Sequence, residues 1–260
     1  MHATWNLLTA RAADSVTGTA VALATGALVL APIAAVTGHV HVAALPYAAA
    51  SIAFELAYFA LLATAYDRAP LSVIYPLARG AAPVLVLLVS ALALGVGLSA
   101  AQAVGVGLVA IGVLLVRGLR DRPAPADLAL AFGVAACLAG YTLVDKEALR
   151  DASPLPYLEV VLAPTAIVYL VAVLWRRGIA EVRAAVAPGV LLAGIGMFAA
   201  YALTLAALRI APAAAVAAVR ECSVVIATGL AAVFLGERVG PERAAGAVVV
   251  TAGIVLIAIA

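Results

Sequence analysis

Four charged side chains stand near the middle of long apolar runs: Glu55, Arg79 and the neighbours Arg220 and Glu221. A charge at the centre of a bilayer costs a few kcal/mol or more, so one that persists there usually faces a cavity or an opposite charge. Two acids and two bases at similar depth can neutralise one another and can also hold a small polar solute. Hydroxyl and phenol groups share their faces at the three- and four-residue spacings that make helical side chains neighbours: Tyr75 with Arg79 and Ser72 a turn earlier, Glu55 with Tyr58, and Arg220 with Ser223. Arg220 and Glu221 are adjacent in sequence and so project from different faces, each with its own partner. Arg79 and Arg220 are expected to reach one cavity from the two halves of the chain. The competing reading is structural, an Arg–Glu pair that only locks helices together.

Other polar residues have weaker grounds. His2, Trp5 and Asn6 line the cavity or stabilise a helix end, and Tyr141, which matches Trp5 in a repeat described below, shares that choice. Asp145, Lys146, Glu147, Arg150 and Asp151 read as a solvated loop, and Glu159 as a side chain that snorkels to the surface. Trp175 before Arg176 and Arg177 suits an interface anchor. His39 and His41 lack further ligands for a metal, and Cys137 and Cys222 lie in apolar runs with no partner at ligand spacing, so neither a zinc site nor a disulfide framework is expected. No nucleotide-binding or catalytic motif occurs in a usable context, so an enzyme, a bound cofactor and ATP-driven transport are not expected.

These residues need membrane helices to position them. The chain has 260 residues, of which 67% are hydrophobic and 11% charged, against roughly 45–50% and about 25% in soluble domains. Its net charge of +2 comes from basic residues scattered singly or in small groups, not from the continuous basic face that nucleic acid requires. Apolar runs mark spans near 17–37, 45–66, 70–92, 98–116, 126–145, 155–175, 186–208, 211–235 and 241–260. The stretch before Arg11 resembles a helix end but reaches only about half-way across the hydrocarbon. The working picture is an all-α integral membrane fold of ten helices, the first truncated. Pro76 and Pro83 are expected to kink the span at 70–92.

The longest polar connection, Arg117 to Asp127, divides the chain into halves at 1–119 and 126–260. A shift of about 141 residues lays Arg68 on Arg209, Arg79 on Arg220, Leu94-Gly95 on Leu235-Gly236, Gly105 on Gly246 and Gly112 on Gly253. A slightly different shift lays 3–8 on 139–144. Each half is then a five-helix unit. Five is odd, so the second half enters the membrane from the opposite face, an inverted repeat of the kind found in secondary transporters.

Three stretches resemble the EamA-like members of the drug/metabolite transporter superfamily: His-Ala-Thr-Trp-Asn at 2–6, Tyr-Pro-Leu-Ala-Arg-Gly-Ala-Ala-Pro at 75–83, and Arg-Glu-Cys-Ser-Val-Val with Phe-Leu-Gly-Glu-Arg between 220 and 238. The resemblance spans the whole chain. It implies ten helices in two inverted five-helix repeats that move small metabolites, often outward, without ATP. It places Tyr75, Arg79, Arg220 and Glu221 on the family's central motif positions.

The candidate substrate-binding set is therefore Tyr75, Arg79, Arg220, Glu55, Tyr58, Glu221, Trp5 and Tyr141, with no catalytic or metal-binding residues. The expected partners are a small-molecule metabolite, the lipid bilayer and protons as coupling ion, with no nucleic acid, in a monomer or homodimer. The expected location is a bacterial inner (plasma) membrane, multi-pass. Alternating access would rock one repeat against the other, with Glu55 or Glu221 taking the coupling proton. Most basic loop residues follow odd-numbered helices, which by the positive-inside rule puts both termini outside, whereas cytoplasmic termini are usual in the superfamily. The alternatives are a lipid flippase or a non-transporting scaffold built on the same bundle.

Overall fold

The computed structural model describes residues 15–68, 71–93, 95, 97, 99–117, 124–223, 226 and 240–259, with 15, 65–68, 71–76, 116–117, 243 and 258–259 described by backbone alone. The 1–14 stretch, with Trp5 and the truncated first helix expected there, lies outside the described residues. The elements are helical: α1 Ser15–Val36, α2 Leu45–Arg68, α3 Leu71–Leu92, α4 Ala100–Arg117, α5 Pro125–Ala148, α6 Pro154–Arg177, α7 Ile179–Ala184, α8 Pro188–Ile210, α9 Ala213–Arg220 and α10 Pro241–Ile259. Proline opens α5, α6, α8 and α10 at the position where a missing N–H matters least and the fixed φ favours helix. Among the described residues five helical stretches are long and apolar enough to cross a membrane: Val16–Val36, Val42–Thr64, Pro125–Ala148, Pro154–Arg177 and Pro188–Ile210. Leu77–Leu92, Ala100–Leu115 and Ala244–Ile257 are shorter apolar helices. Large apolar side chains such as Leu28, Phe132 and Leu203 face outward, as expected of helices whose surroundings are lipid.

The chain forms two compact units, and two of their three boundaries fall inside α2 and α5, the third between α8 and α9. Residues 1–56 and 144–210 make the first, and 57–143 with 211–260 the second, so each unit draws on both halves of the sequence.

In the first unit α1 packs against α6 and α8. The approach to α8 is close: a Cβ on Gly194 would collide with the backbone of Ala22, and one on Gly26 with the Phe198 ring. The sequence shows no helix between Arg177 and Pro188, yet α7 forms there. Gly178, at φ +84°, turns the chain out of α6, and Val182 of α7 is buried with Ala20, Val21 and Val173. Loops 37–41 and 151–153 pair: the Ser153 N–H donates to the His39 carbonyl at 2.8 Å and the His41 N–H to the Asp151 carbonyl at 3.0 Å.

In the second unit α4 and α10 make the tightest helix pair. A Cβ on Gly253 would stand 2.7 Å from the Gly105 carbonyl oxygen, and one on Gly112 would stand 2.7 Å from the Val250 nitrogen. Small residues thus bring the two backbones together, the usual device where lipid offers no hydrophobic driving force between helices. Val106, Val109, Val113, Ala218, Val250 and Ile257 fill the core beside them. Helix α3 lies on α4, and α9 lies across both. Leu77 of α3 packs on Ala131 of α5.

Candidate functional site

The second unit holds three of the four intramembrane charges, Arg79, Arg220 and Glu221. Arg79 sits about one-third of the way along α3, just before Gly80, whose missing side chain admits the Ala110 carbonyl of α4. Its Nη1 donates to Glu221 Oε1 at 3.1 Å, and both side chains are buried, 8% and 3% exposed. A base from the first half of the sequence thus pairs with an acid from the second.

The backbone explains how adjacent residues reach different partners. Helix α9 ends at Arg220, and the Glu221 N–H bonds to the Ala218 carbonyl at 3.0 Å, three residues back, a tightened turn before helix resumes at Cys222–Ser223. Glu221 is directed to Arg79 of α3. Arg220 Nη2 donates to the Tyr141 hydroxyl of α5 at 3.1 Å, and its guanidinium carbon lies 5.8 Å from the centre of that ring, within the range of a cation–π contact. Tyr141 is buried. The second carboxylate oxygen of Glu221, Oε2, is buried and makes no hydrogen bond among the described residues. A buried carboxylate with one oxygen occupied can take a proton or a ligand's donor.

Glu55 belongs to the other unit. It is buried on α2, with Ser51 fully buried one turn earlier on the same helix. Tyr58 meets Phe59 edge to face with ring centres 5.1 Å apart. Tyr75 falls in the part of α3 described by backbone alone, and Trp5 lies outside the described residues. The structure therefore groups Arg79 with Glu221 and Arg220 with Tyr141, and places Glu55 in the other unit.

That unit also corrects the expectation of a solvated loop at 145–151. Asp145 is fully buried, one turn before the end of α5, and accepts hydrogen bonds from Tyr157 at 2.8 Å and from Tyr201 of α8 at 2.5 Å. Lys146 donates to the Leu208 carbonyl of α8 at 2.5 Å. Only the end of the cluster is solvated, where Arg150 pairs with Glu147 at 2.6 Å across an exposed turn. Glu159 differs as well: its Oε2 is buried rather than carried to the surface. The available signal for Asp145 was Tyr157, three residues into the next helix and free to fold back on the end of α5. Trp175 is 86% exposed beside Arg176 and Arg177.

Comparison with known proteins follows the same lines. No curated protein sequence matches the chain. A solved crystal structure of a protein superposes with a TM-score of 0.78 over 99% of this chain and 92% of the other, at 18% identity, a likeness of fold alone. Residues 1–118 and 127–259 each match the EamA-like transporter family. Together with the all-helical, multi-pass architecture, this two-repeat match shows that the chain belongs to the EamA-like transporter family.

Proposed function

We propose that this chain is a secondary-active transporter that moves small metabolites outward across a bacterial plasma membrane, with its halves 1–119 and 126–260 acting as inverted five-helix repeats. The observation that carries the reading is the buried Arg79–Glu221 pair with a second guanidinium, Arg220, on Tyr141 beside it in sequence. Several undischarged functions of these groups favour a solute site over a lock. A lock needs one ion pair and gains nothing from a buried Glu221 oxygen left without a hydrogen bond. Arg79, Arg220, Glu221 and Tyr141 contact the solute in this reading, with Tyr75, Tyr58 and Trp5 completing the wall. Glu55 or Glu221 takes the coupling proton, and the working unit is a monomer or homodimer.

The test is uptake from a pooled metabolite mixture into proteoliposomes, read by mass spectrometry for wild type, Arg79→Ala and empty liposomes. A discrete solute accumulated by wild type and lost in Arg79→Ala is the expected result. Uptake unaffected by Arg79→Ala moves the site elsewhere, and lipid movement without solute uptake replaces the reading with a flippase. For coupling, the Glu55→Gln/Glu221→Gln double variant is expected to lose the dependence of uptake on a pH gradient; full retention of that dependence removes the proton role from these acids.

A further inference from the structure

The turn between α1 and α2 sets two imidazoles side by side. His39 and His41 flank Val40, which pairs antiparallel with Ala152, and His41 is extended, at φ −73° and ψ 154°. Side chains two apart on an extended strand leave it on the same side. Ala152 is buried and Val40 half-buried, so the opposite side of this short ladder, which carries the histidines, is turned to solvent, and both histidines are exposed. The rings meet there, with centres 4.5 Å apart and planes inclined at 64°.

Among the described residues, the hydrogen bonds that fix this stretch are made by its backbone and not by its rings. The Ser153 N–H donates to the His39 carbonyl at 2.8 Å, the His41 N–H to the Asp151 carbonyl at 3.0 Å and the His39 N–H to Ser153 Oγ at 3.3 Å. Ser153 Oγ fills the space that a side chain on Gly38 would need. A slip of one residue would turn the imidazoles toward the buried side, so the register is held. Helix α2 starts at Leu45 and α6 at Pro154, which leaves both edges of the ladder on short attachments.

The separation of the rings suits a metal ion. An imidazole nitrogen binds a divalent transition ion at about 2.0–2.1 Å, which puts the ion about 3 Å from the ring centre. Two centres 4.5 Å apart then subtend about 90° at the ion. That is the angle between adjacent ligands in the tetragonal sites of Cu(II) and Ni(II), and is narrower than the tetrahedral angle of zinc. The line of each Cβ–Cγ bond runs through its ring centre. Rotation about that bond, a broad torsion in histidine, therefore aims a nitrogen of each ring at the shared point without moving the centres. No group of three or more His, Cys, Asp or Glu side chains gathers into a metal set among the described residues, so water takes the remaining positions. Sequence alone counts two imidazoles and no further ligand; the ladder adds that both are held on one side at chelating distance.

We propose that His39 and His41 form a two-imidazole chelate for a tetragonal divalent ion, Cu(II) in first place by the Irving–Williams order, in the turn between the spans Val16–Val36 and Val42–Thr64. Two nitrogen–metal bonds form as two waters leave the ion, and no electron moves. The site shares no residue with the Arg79–Glu221 pair and does not depend on transport.

The experiment titrates the full chain, free of any affinity tag and held in lipid nanodiscs, with Cu(II) and Zn(II) by calorimetry, and records the electron paramagnetic resonance of the Cu(II) form. One Cu(II) per chain with hyperfine structure from two ring nitrogens is expected. His39→Gln and His41→Gln are each expected to weaken Cu(II) binding by more than the roughly 10–100-fold that loss of an outer-shell partner costs. The double variant His41→Gln/Val42→His keeps the number of imidazoles but moves one off the shared side, and is expected to bind as weakly as His41→Gln. These positions are exposed, so the variants are expected to melt with wild type. His2→Gln, which removes the chain's remaining histidine, is expected to leave binding unchanged. The proposal is overturned by no binding above empty nanodiscs, by a spectrum of one nitrogen, by binding that survives His39→Gln or His41→Gln, or by binding lost in His2→Gln. Full binding by the double variant would show that only the number of imidazoles matters, and Zn(II) held as tightly as Cu(II) would refute the tetragonal geometry.

Discussion

Replacing Arg79 by Leu leaves the Glu221 carboxylate, 3% exposed, facing an apolar side chain. Removing one partner of a buried ion pair destabilises a protein by about 3–5 kcal/mol, because the remaining charge is neither hydrated nor paired. For a chain of this size ~1 kcal/mol moves the melting temperature by about 2–4 °C, so Arg79→Leu is expected to melt roughly 6–20 °C lower. Glu221→Leu strands the guanidinium and is expected to fall by a similar amount. The double variant Arg79→Leu/Glu221→Leu removes both charges together with their desolvation penalty, and such replacements are often neutral or stabilising. It is therefore expected to recover to within about 2 kcal/mol of wild type. Thermal unfolding in lipid nanodiscs and metabolite uptake on the same preparations separate the two roles of the pair. A solute site predicts a double variant that is stable and does not transport. Recovery of uptake together with stability would refute the functional reading and leave the pair as a lock. A double variant as unstable as either single one would refute the reasoning on magnitude.

The α4–α10 contact predicts that Gly253→Val, whose Cβ would stand 2.7 Å from the Gly105 carbonyl oxygen, destabilises by about 1–3 kcal/mol or more, whereas Gly107→Ala, with open space at its Cβ, leaves the melting temperature near wild type. Tyr141→Phe keeps the ring near Arg220 and removes the 3.1 Å hydrogen bond to a charged donor, an expected loss of about 1.5–3 kcal/mol by thermal unfolding, with weakened uptake if Arg220 contacts the solute. From the distribution of basic residues, a reporter fused at Ala260 that is active only in the cytoplasm is expected to be silent; an active fusion reverses the assigned orientation.

The helices were legible because proline and charge interrupt the apolar runs cleanly. The span read at 155–175 is α6, Pro154–Arg177, and that at 98–116 is α4, Ala100–Arg117. Helix α7 was not legible, since six residues carry too little periodicity and its fold depends on Gly178 reversing the backbone and on Val182 finding Val173 and Ala20. At the site, charge inside an apolar run was enough to single out Arg79 and Glu221, because burial of either is expensive without the other. Asp145 carries the same cost but stands in a charged stretch at a helix end, where local pattern reads as surface. Its burial is stabilised by two phenols, Tyr157 and Tyr201, that come from 12 and 56 residues away. Tyr157, just across the turn, was the one local signal, whereas Tyr201 is contributed by the fold and leaves no mark on the sequence around the acid.

The turn at Glu221 gives a physical reason why an Arg-Glu pair of neighbours serves where two separate charges would not. In regular helix, residues one apart project about 100° from each other, given 3.6 residues per turn. Here the Glu221 N–H bonds back to Ala218, three residues earlier, and the chain tightens locally before helix resumes. One turn of backbone thus engages α3 through Glu221 and α5 through Arg220. A solute that competes for either charge must loosen one helix contact while the adjacent contact remains. Local tightening of this kind is also a common hinge within a helix. In the proposed reading, solute binding and a change in helix packing are then the same event at this turn, which an ion pair on one unbroken helix face would not provide.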